Sequence, residues 1–157
     1  MNEYEKLDLA LNYLNEGILV ESVSINKSKI KLDCNKKEDE KYFDEAMKCL
    51  KKHWDKIIDA VAEDVKNYVD MCIKYGKENK SYVDFCKKYD SIDKIKKSLN
   101  HTGGRFLGKT TIKGTEYFDF AMHFHHPVPD RDGHTIFLDF CCVNESKYFI
   151  QKCTFEG

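Results

Sequence analysis

Two stretches decide the fold: TEYFDFAMHFH, residues 115–125, and HTIFLDFCCV, residues 134–143. Phe118, Phe120, Met122 and Phe124 share one face of the first, and Ile136, Leu138, Phe140 and Cys142 share one face of the second. Alternation at period two on both sides of a short loop predicts an antiparallel hairpin with one face buried. The register follows from the same residues. For the apolar faces to oppose each other, paired residue numbers must sum to an even value, because a one-residue slip turns one face outward. His126 and His134 then stand on the core side at the neck of the hairpin. His123 and His125 point the other way, on the face of Asp119, Thr135, Phe137 and Asp139.

Outward from this hairpin, residues 105–112 read as a strand entering it through the Lys113-Gly114 turn. Asn144-Glu145-Ser146 turns the chain into a last strand over 148–155, completing a four-strand meander. Nearer the N-terminus, residues 18–25 and 29–34 are rich in β-branched and aliphatic side chains around Asn26-Lys27-Ser28 and predict a second hairpin. A short amphipathic helix is expected over 4–14, stopped at Gly17.

Between the two β segments, Phe43, Met47, Leu50, Trp54, Ile57, Ile58, Val61, Val65, Tyr68, Val69 and Cys72 recur at helical spacing, so a helical segment over 38–75 is expected, ended by Gly76. Unbroken it would span about 55 Å, long for so small a domain, so a bend or break near residues 62–64 is expected. Two short helices follow, over 82–88 and 92–99, with Ser81 and Ser91 as N-caps. The plan is a single α+β domain over 1–157: an antiparallel sheet, built from the N-terminal hairpin and the C-terminal meander, packed against a long helical segment.

Charge sets limits on function. The 26 basic and 27 acidic residues nearly cancel, so no global field favours nucleic acid or an anionic membrane. The start of the chain lacks the basic-then-apolar run of a signal peptide, and no stretch approaches the roughly 18 apolar residues of a membrane span. A cytoplasmic protein is expected. Seven cysteines, an odd number with no C-x-x-C spacing, read as reduced thiols rather than a disulfide framework or a zinc ribbon. Cys141 and Cys142 are adjacent on a strand and must face opposite ways.

Several motifs are look-alikes. Gly103, Gly108, Lys109 and Thr110 match the G-x-x-x-x-G-K-[ST] phosphate loop. They follow a charged helical stretch and run into residues that read as strand, and no parallel sheet surrounds them, so nucleotide binding is not expected. Cys49 and His53 share a helix face and read as core edge. Lys94, Lys96, Lys97, Arg105, Lys109 and Lys113 read as a solvated face, not a nucleic-acid site. Asp130-Arg131-Asp132-Gly133 lacks the later bidentate Glu of a calcium loop and reads as a turn. No nucleophile, base and acid can be assembled from spacing, no cofactor is implied, and binding is expected rather than catalysis.

The layout of hairpin, long helix with Trp54, further helices and a meander carrying Pro129-Asp130-x-Asp132-Gly133-His134-Thr135-Ile136 and ending in Phe155-Glu156-Gly157 resembles small bacterial α+β proteins of the toxin-immunity type. That resemblance implies an immunity protein that neutralises a cognate protein toxin by steric occlusion of its active site, and it carries no catalytic residues. On this reading Asp119, His123, His125, Phe137 and Asp139 form the partner-binding face. The alternative is a small metal-binding protein or metal-dependent enzyme holding an ion with His123, His125 and Asp139, since imidazole and carboxylate are both common ligands.

Overall fold

The structure is a computed structural model. It describes Leu32 and residues 40–157 fully, and the backbone of four short strands before them. The helix expected over 4–14 lies outside the described residues. The four short strands are β1 (Ile18–Leu19), β2 (Val23–Ile25), β3 (Ser28–Ile30) and β4 (Asp33–Cys34). Helices α1 (Glu40–Tyr75), α2 (Lys80–Lys87) and α3 (Ile92–Ser98) follow, then β5 (Asn100–Ile112), β6 (Thr115–His125), α4 (Pro127–Arg131), β7 (Thr135–Cys142), β8 (Tyr148–Ile150) and β9 (Thr154–Glu156).

The N-terminal hairpin forms as expected, with β2 paired antiparallel to β3 and β1 to β4. The main sheet runs β1-β4-β5-β6-β7-β8, with β9 also on the outer edge of β7. One junction departs from the all-antiparallel expectation: β4 lies parallel to β5. The crossover between them is the whole helical layer, which returns the chain to the same end of the sheet.

The hairpin register is the expected one, with Phe118 opposite Cys142, Phe120 opposite Phe140, Met122 opposite Leu138 and Phe124 opposite Ile136. This face joins Leu50, Trp54, Ile57, Val61, Val65 and Val69 of α1 in one core. Helix α1 is a single span of 36 residues, without the break expected near 62–64. Its platform explains this. The buried residues of α1 run from Ala46 to Val69, and its rings meet Phe106 of β5, Phe124 of β6, Phe140 of β7 and Phe155 of β9, so a helix of about 54 Å finds core along most of its length.

Polar groups along α1 fasten the far side of the sheet. His53 Nε2 lies 2.8 Å from the Asn144 carbonyl in the turn after β7, and the Cys153 amide donates to Asp64 Oδ2 at 2.9 Å in the gap between β8 and β9. Asn79, not Ser81, caps α2, while Ser91 caps α3 as expected. Lys113 and Gly114 both take positive φ in the two-residue β5–β6 turn. The Pro127–Arg131 stretch, read from sequence as loop, forms the short helix α4, with His126 as its cap.

The phosphate-loop look-alike lies within β5, so its glycines serve packing. A Cβ at Gly104, whose φ is 150°, would stand 2.3 Å from the Ala121 carbonyl oxygen, and one at Gly103 would stand 2.8 Å from the His123 ring. Of the basic run, Lys94 pairs with Asp90, Lys96 with Asp59 and Lys109 with Glu116.

Cys49 of α1 and Cys142 of β7 are joined as a disulfide, their Cα atoms 6.7 Å apart, within the usual reach of such a bond. This corrects the reading of all seven cysteines as reduced thiols. The partners are 93 residues apart and share no local spacing; only the seating of α1 on β7 brings them together. In the chain-entropy picture, closing so long a loop is worth about 4 to 5 kcal/mol. Protein unfolded without reductant is expected to titrate two fewer thiols than reduced protein, and Cys49→Ala to lower its denaturation midpoint. Equal thiol counts would dismiss the bond.

His126 generates a second expectation. Its ring is fully buried, and its Nδ1 accepts the Val128 amide at 3.2 Å. Burial pushes its pKa down from 6.5 to about 4. A depressed histidine gives stability that is present above the unfolded pKa and lost as pH falls. Between pH 6.5 and 4 the loss approaches about 1.4 kcal/mol per pH unit. His126→Asn keeps a cap acceptor and removes the titration, so denaturant melts of the variant should show a shallower decline across that window; an unchanged slope would refute this role.

Candidate functional site on the open sheet face

The helices cover one face of the sheet, and the site lies on the other. Alternation along β6 and β7 sends Asp119, Ala121, His123 and His125 of one strand, and Thr135, Phe137, Asp139 and Cys141 of the next, away from the core. All five residues expected at a partner face therefore share that side, but the structure divides them into two groups.

The first group forms a concavity. Asp119 faces Cys141 across the β6–β7 ladder and Asp139 faces Ala121, so the two residues are diagonal neighbours, their strand positions about 7 to 8 Å apart by sheet geometry. With Leu107, Thr110 and Ile112 of β5, Cys141 of β7, and Phe149 and Gln151 of the last segment, they line a hollow of about 210 Å³. Leu107 is an exposed large hydrophobic residue, and the Tyr117 ring stands 5.3 Å from that of Phe149. Among the described residues neither carboxylate is paired with a cation.

The electrostatics follow from that arrangement. Partial burial raises the Asp139 pKa, and the neighbouring Asp119 charge raises it further. The Cys141 thiol donates to Asp119 Oδ1 at 3.3 Å, and burial, with the Asp119 charge, pushes its pKa to about 12. Cys141 is therefore a proton donor to Asp119 and a poor nucleophile at neutral pH.

The second group is already engaged. His123 is only 7% exposed, its ring packed against Gly103; Thr102 Oγ1 stands 2.7 Å from its Nδ1 and also donates to its carbonyl at 3.2 Å. His125 Nδ1 lies 2.7 Å from Asp130 Oδ1 of α4. Phe137 is half-buried beside the His123 ring. The structure does not bring His123, His125 and Asp139 together as ligands, and among the described residues no three histidine, cysteine or carboxylate side chains converge on a point that could hold an ion.

Leu107, Cys141, Phe149 and Gln151 were not among the residues expected at the site. Cys141 was legible in part, since adjacency to Cys142 put it on the outward face. Phe149 and Gln151 depend on the pairing of β8 with β7, and Leu107 on an irregularity in β5 between Phe106 and Gly108.

No family model, curated protein or solved structure was found to match the chain. No helix among the described residues is long and apolar enough to cross a membrane.

The raised Asp139 pKa has a direction that can be checked. A carboxyl whose folded pKa lies above its unfolded value holds its proton more tightly in the native state, so stability declines as pH rises through the ordinary carboxylate range. Asp139→Asn is expected to raise the melting temperature at pH 7 and leave it unchanged near pH 3, where the native carboxyl is protonated. Equal shifts at both pH values would assign the effect to something other than charge.

Proposed function

We propose that the protein is a binding protein of the immunity type, which docks a cognate toxin through the open face of its sheet and blocks the toxin's active site by steric occlusion. The observation that carries this reading is the uncompensated pair Asp119 and Asp139 in a hollow rimmed by Leu107 and Phe149. Like charges placed side by side lower the stability of the isolated protein, and such placement is characteristic of sites whose complement arrives from outside. Charge complementarity selects the occupant: a basic surface of the partner, with a lysine or arginine entering between the carboxylates and apolar contacts around it.

The hollow is shallow and its thiol is held protonated by burial, so the chemistry suits recognition better than turnover. His123 contributes by ordering the face and not by contact, since its ring is buried.

The test is co-expression with the adjacent upstream reading frame of the source genome, scored by growth and by co-purification. Rescue with a one-to-one complex is expected. Asp139→Lys should weaken that complex at least tenfold, about 1.4 kcal/mol, while the variant stays folded. Full rescue and unchanged affinity in Asp119→Lys and Asp139→Lys would move the interface off this face, and the absence of toxicity and of a complex would overturn the immunity reading.

A further inference from the structure

A second polar cluster lies on the helix side of the sheet and is not part of the open face. Tyr68 comes from α1 and Tyr82 from α2, while Asp132 and His134 stand on either side of Gly133 in the turn from α4 to β7. Asp132 Oδ2 accepts the Tyr68 hydroxyl at 2.6 Å and the Tyr82 hydroxyl at 2.9 Å, and Oδ1 lies 3.0 Å from the Tyr82 hydroxyl. The Tyr68 hydroxyl oxygen is also 3.0 Å from His134 Nδ1. Tyr68 has one proton and gives it to Asp132, so His134 meets it as the Nδ1–H tautomer, donating to the phenol oxygen.

The cluster is therefore a set of metal-ligating atoms held together by shared protons. Histidine, cysteine and carboxylate side chains alone make no such set among the described residues; here two phenols complete it. The hydrogen-bonded atoms stand 2.6 to 3.0 Å apart. Adjacent ligands of a six-coordinate ion with bonds of about 2.0 to 2.1 Å are about 2.9 Å apart, so an ion can replace the protons with little movement of the ligands. The packing around the phenols holds them ready. Tyr68 stacks on Phe155, ring centroids 4.6 Å apart, and the Arg131 guanidinium lies over the Tyr82 ring at 5.4 Å. Gly76 lets α2 turn back this closely, since a Cβ there would stand 3.0 Å from the Tyr82 ring. Asp132 is exposed and the other three residues are half-buried, which leaves a way in from solvent.

We propose that Tyr68, Tyr82, Asp132 and His134 form a binding site for a ferric ion. Ligand chemistry selects the metal: oxygen anions suit hard ions, imidazole suits iron, and tyrosinate is a known iron ligand. Charge selects its oxidation state. Two phenolates and one carboxylate carry three negative charges, which a trivalent ion cancels, whereas a divalent ion would leave one uncompensated in a partly buried place. The ion arrives as its citrate complex. Two phenol O–H bonds break and two iron–oxygen bonds form, the Asp132 carboxylate and His134 Nδ1 add two more, and the His134 proton moves to Nε2. Citrate leaves, the two phenol protons pass to solvent, and no electron changes hands. Burial, and after it the hydrogen bonds within the cluster, raise the pKa of both phenols, which therefore stay protonated until an ion arrives. The Cys72 thiol, 3.8 Å from Asp132 Oδ2, stands outside the ligand set.

The experiment mixes the purified full chain with ferric citrate at neutral pH, desalts it, and measures retained iron and visible absorption. One iron per chain, with a visible charge-transfer band from phenolate to iron, is the expected result. The double variant Tyr68→Phe, Tyr82→Phe keeps both rings and should lose the band and the iron while its circular dichroism is unchanged. Wild-type protein that emerges free of iron, or that retains iron without the band, would overturn the proposal without recourse to any variant, and equal retention by the folded double variant would overturn it as adventitious iron only.

Discussion

The register of β6 against β7 is the constraint on which the rest of this structure depends. With Phe118, Phe120, Met122 and Phe124 opposite Cys142, Phe140, Leu138 and Ile136, one sheet face becomes an apolar floor. Helix α1 then has a surface long enough to lie on as a single rod. A slip of β6 by one residue would put Asp119 and His123 under the helix and its four apolar side chains in water. The seating of α1 in turn decides where its polar groups reach: His53 to the turn after β7, Asp64 to the gap before β9, and Cys49 to Cys142.

The same register produces the open face. Residues excluded from the floor must appear on its reverse, so Asp119 and Asp139 become diagonal neighbours through the alternation that builds the core. Partial burial, and after it the Asp119 charge, raises the Asp139 pKa, and no lysine or arginine is paired to either carboxylate among the described residues. Elsewhere on the surface the basic side chains Lys66, Lys94, Lys96 and Lys109 have each found an acid. The contrast singles out the hollow, because charge left uncompensated in a partly apolar setting is destabilising unless an outside partner completes it.

The hairpin tip is held from the other side. Asp132 gathers hydroxyl donors from α1 and α2, and the turn at Gly76 lets the two helices approach closely enough to share it. Among the cysteines whose side chains are described, Cys49 and Cys142 join helix to sheet, Cys72 reaches Asp132 and Cys86 is buried in the core. The remaining two, Cys141 and Cys153, donate to or lie against Asp119 and Asp64 and act as small buried polar groups.

Period and turn chemistry by themselves determined the β6–β7 hairpin, its register, the two-residue turn at Lys113-Gly114, the long helical repeat ending at Gly76 and the sharing of one sheet face by Asp119 and Asp139, but not which face the helices cover or that the last strand divides into β8 and β9. Each feature so determined is a local property, in which neighbouring residues already specify direction or alternation. Tertiary structure alone decided that α1 runs unbroken, that β4 joins β5 in parallel, that Cys49 meets Cys142, and that His123 is sealed over Gly103 while Phe149 completes the hollow. These depend on which distant segments come into contact, and neither hydrophobic period nor residue type encodes a partner roughly ninety positions away.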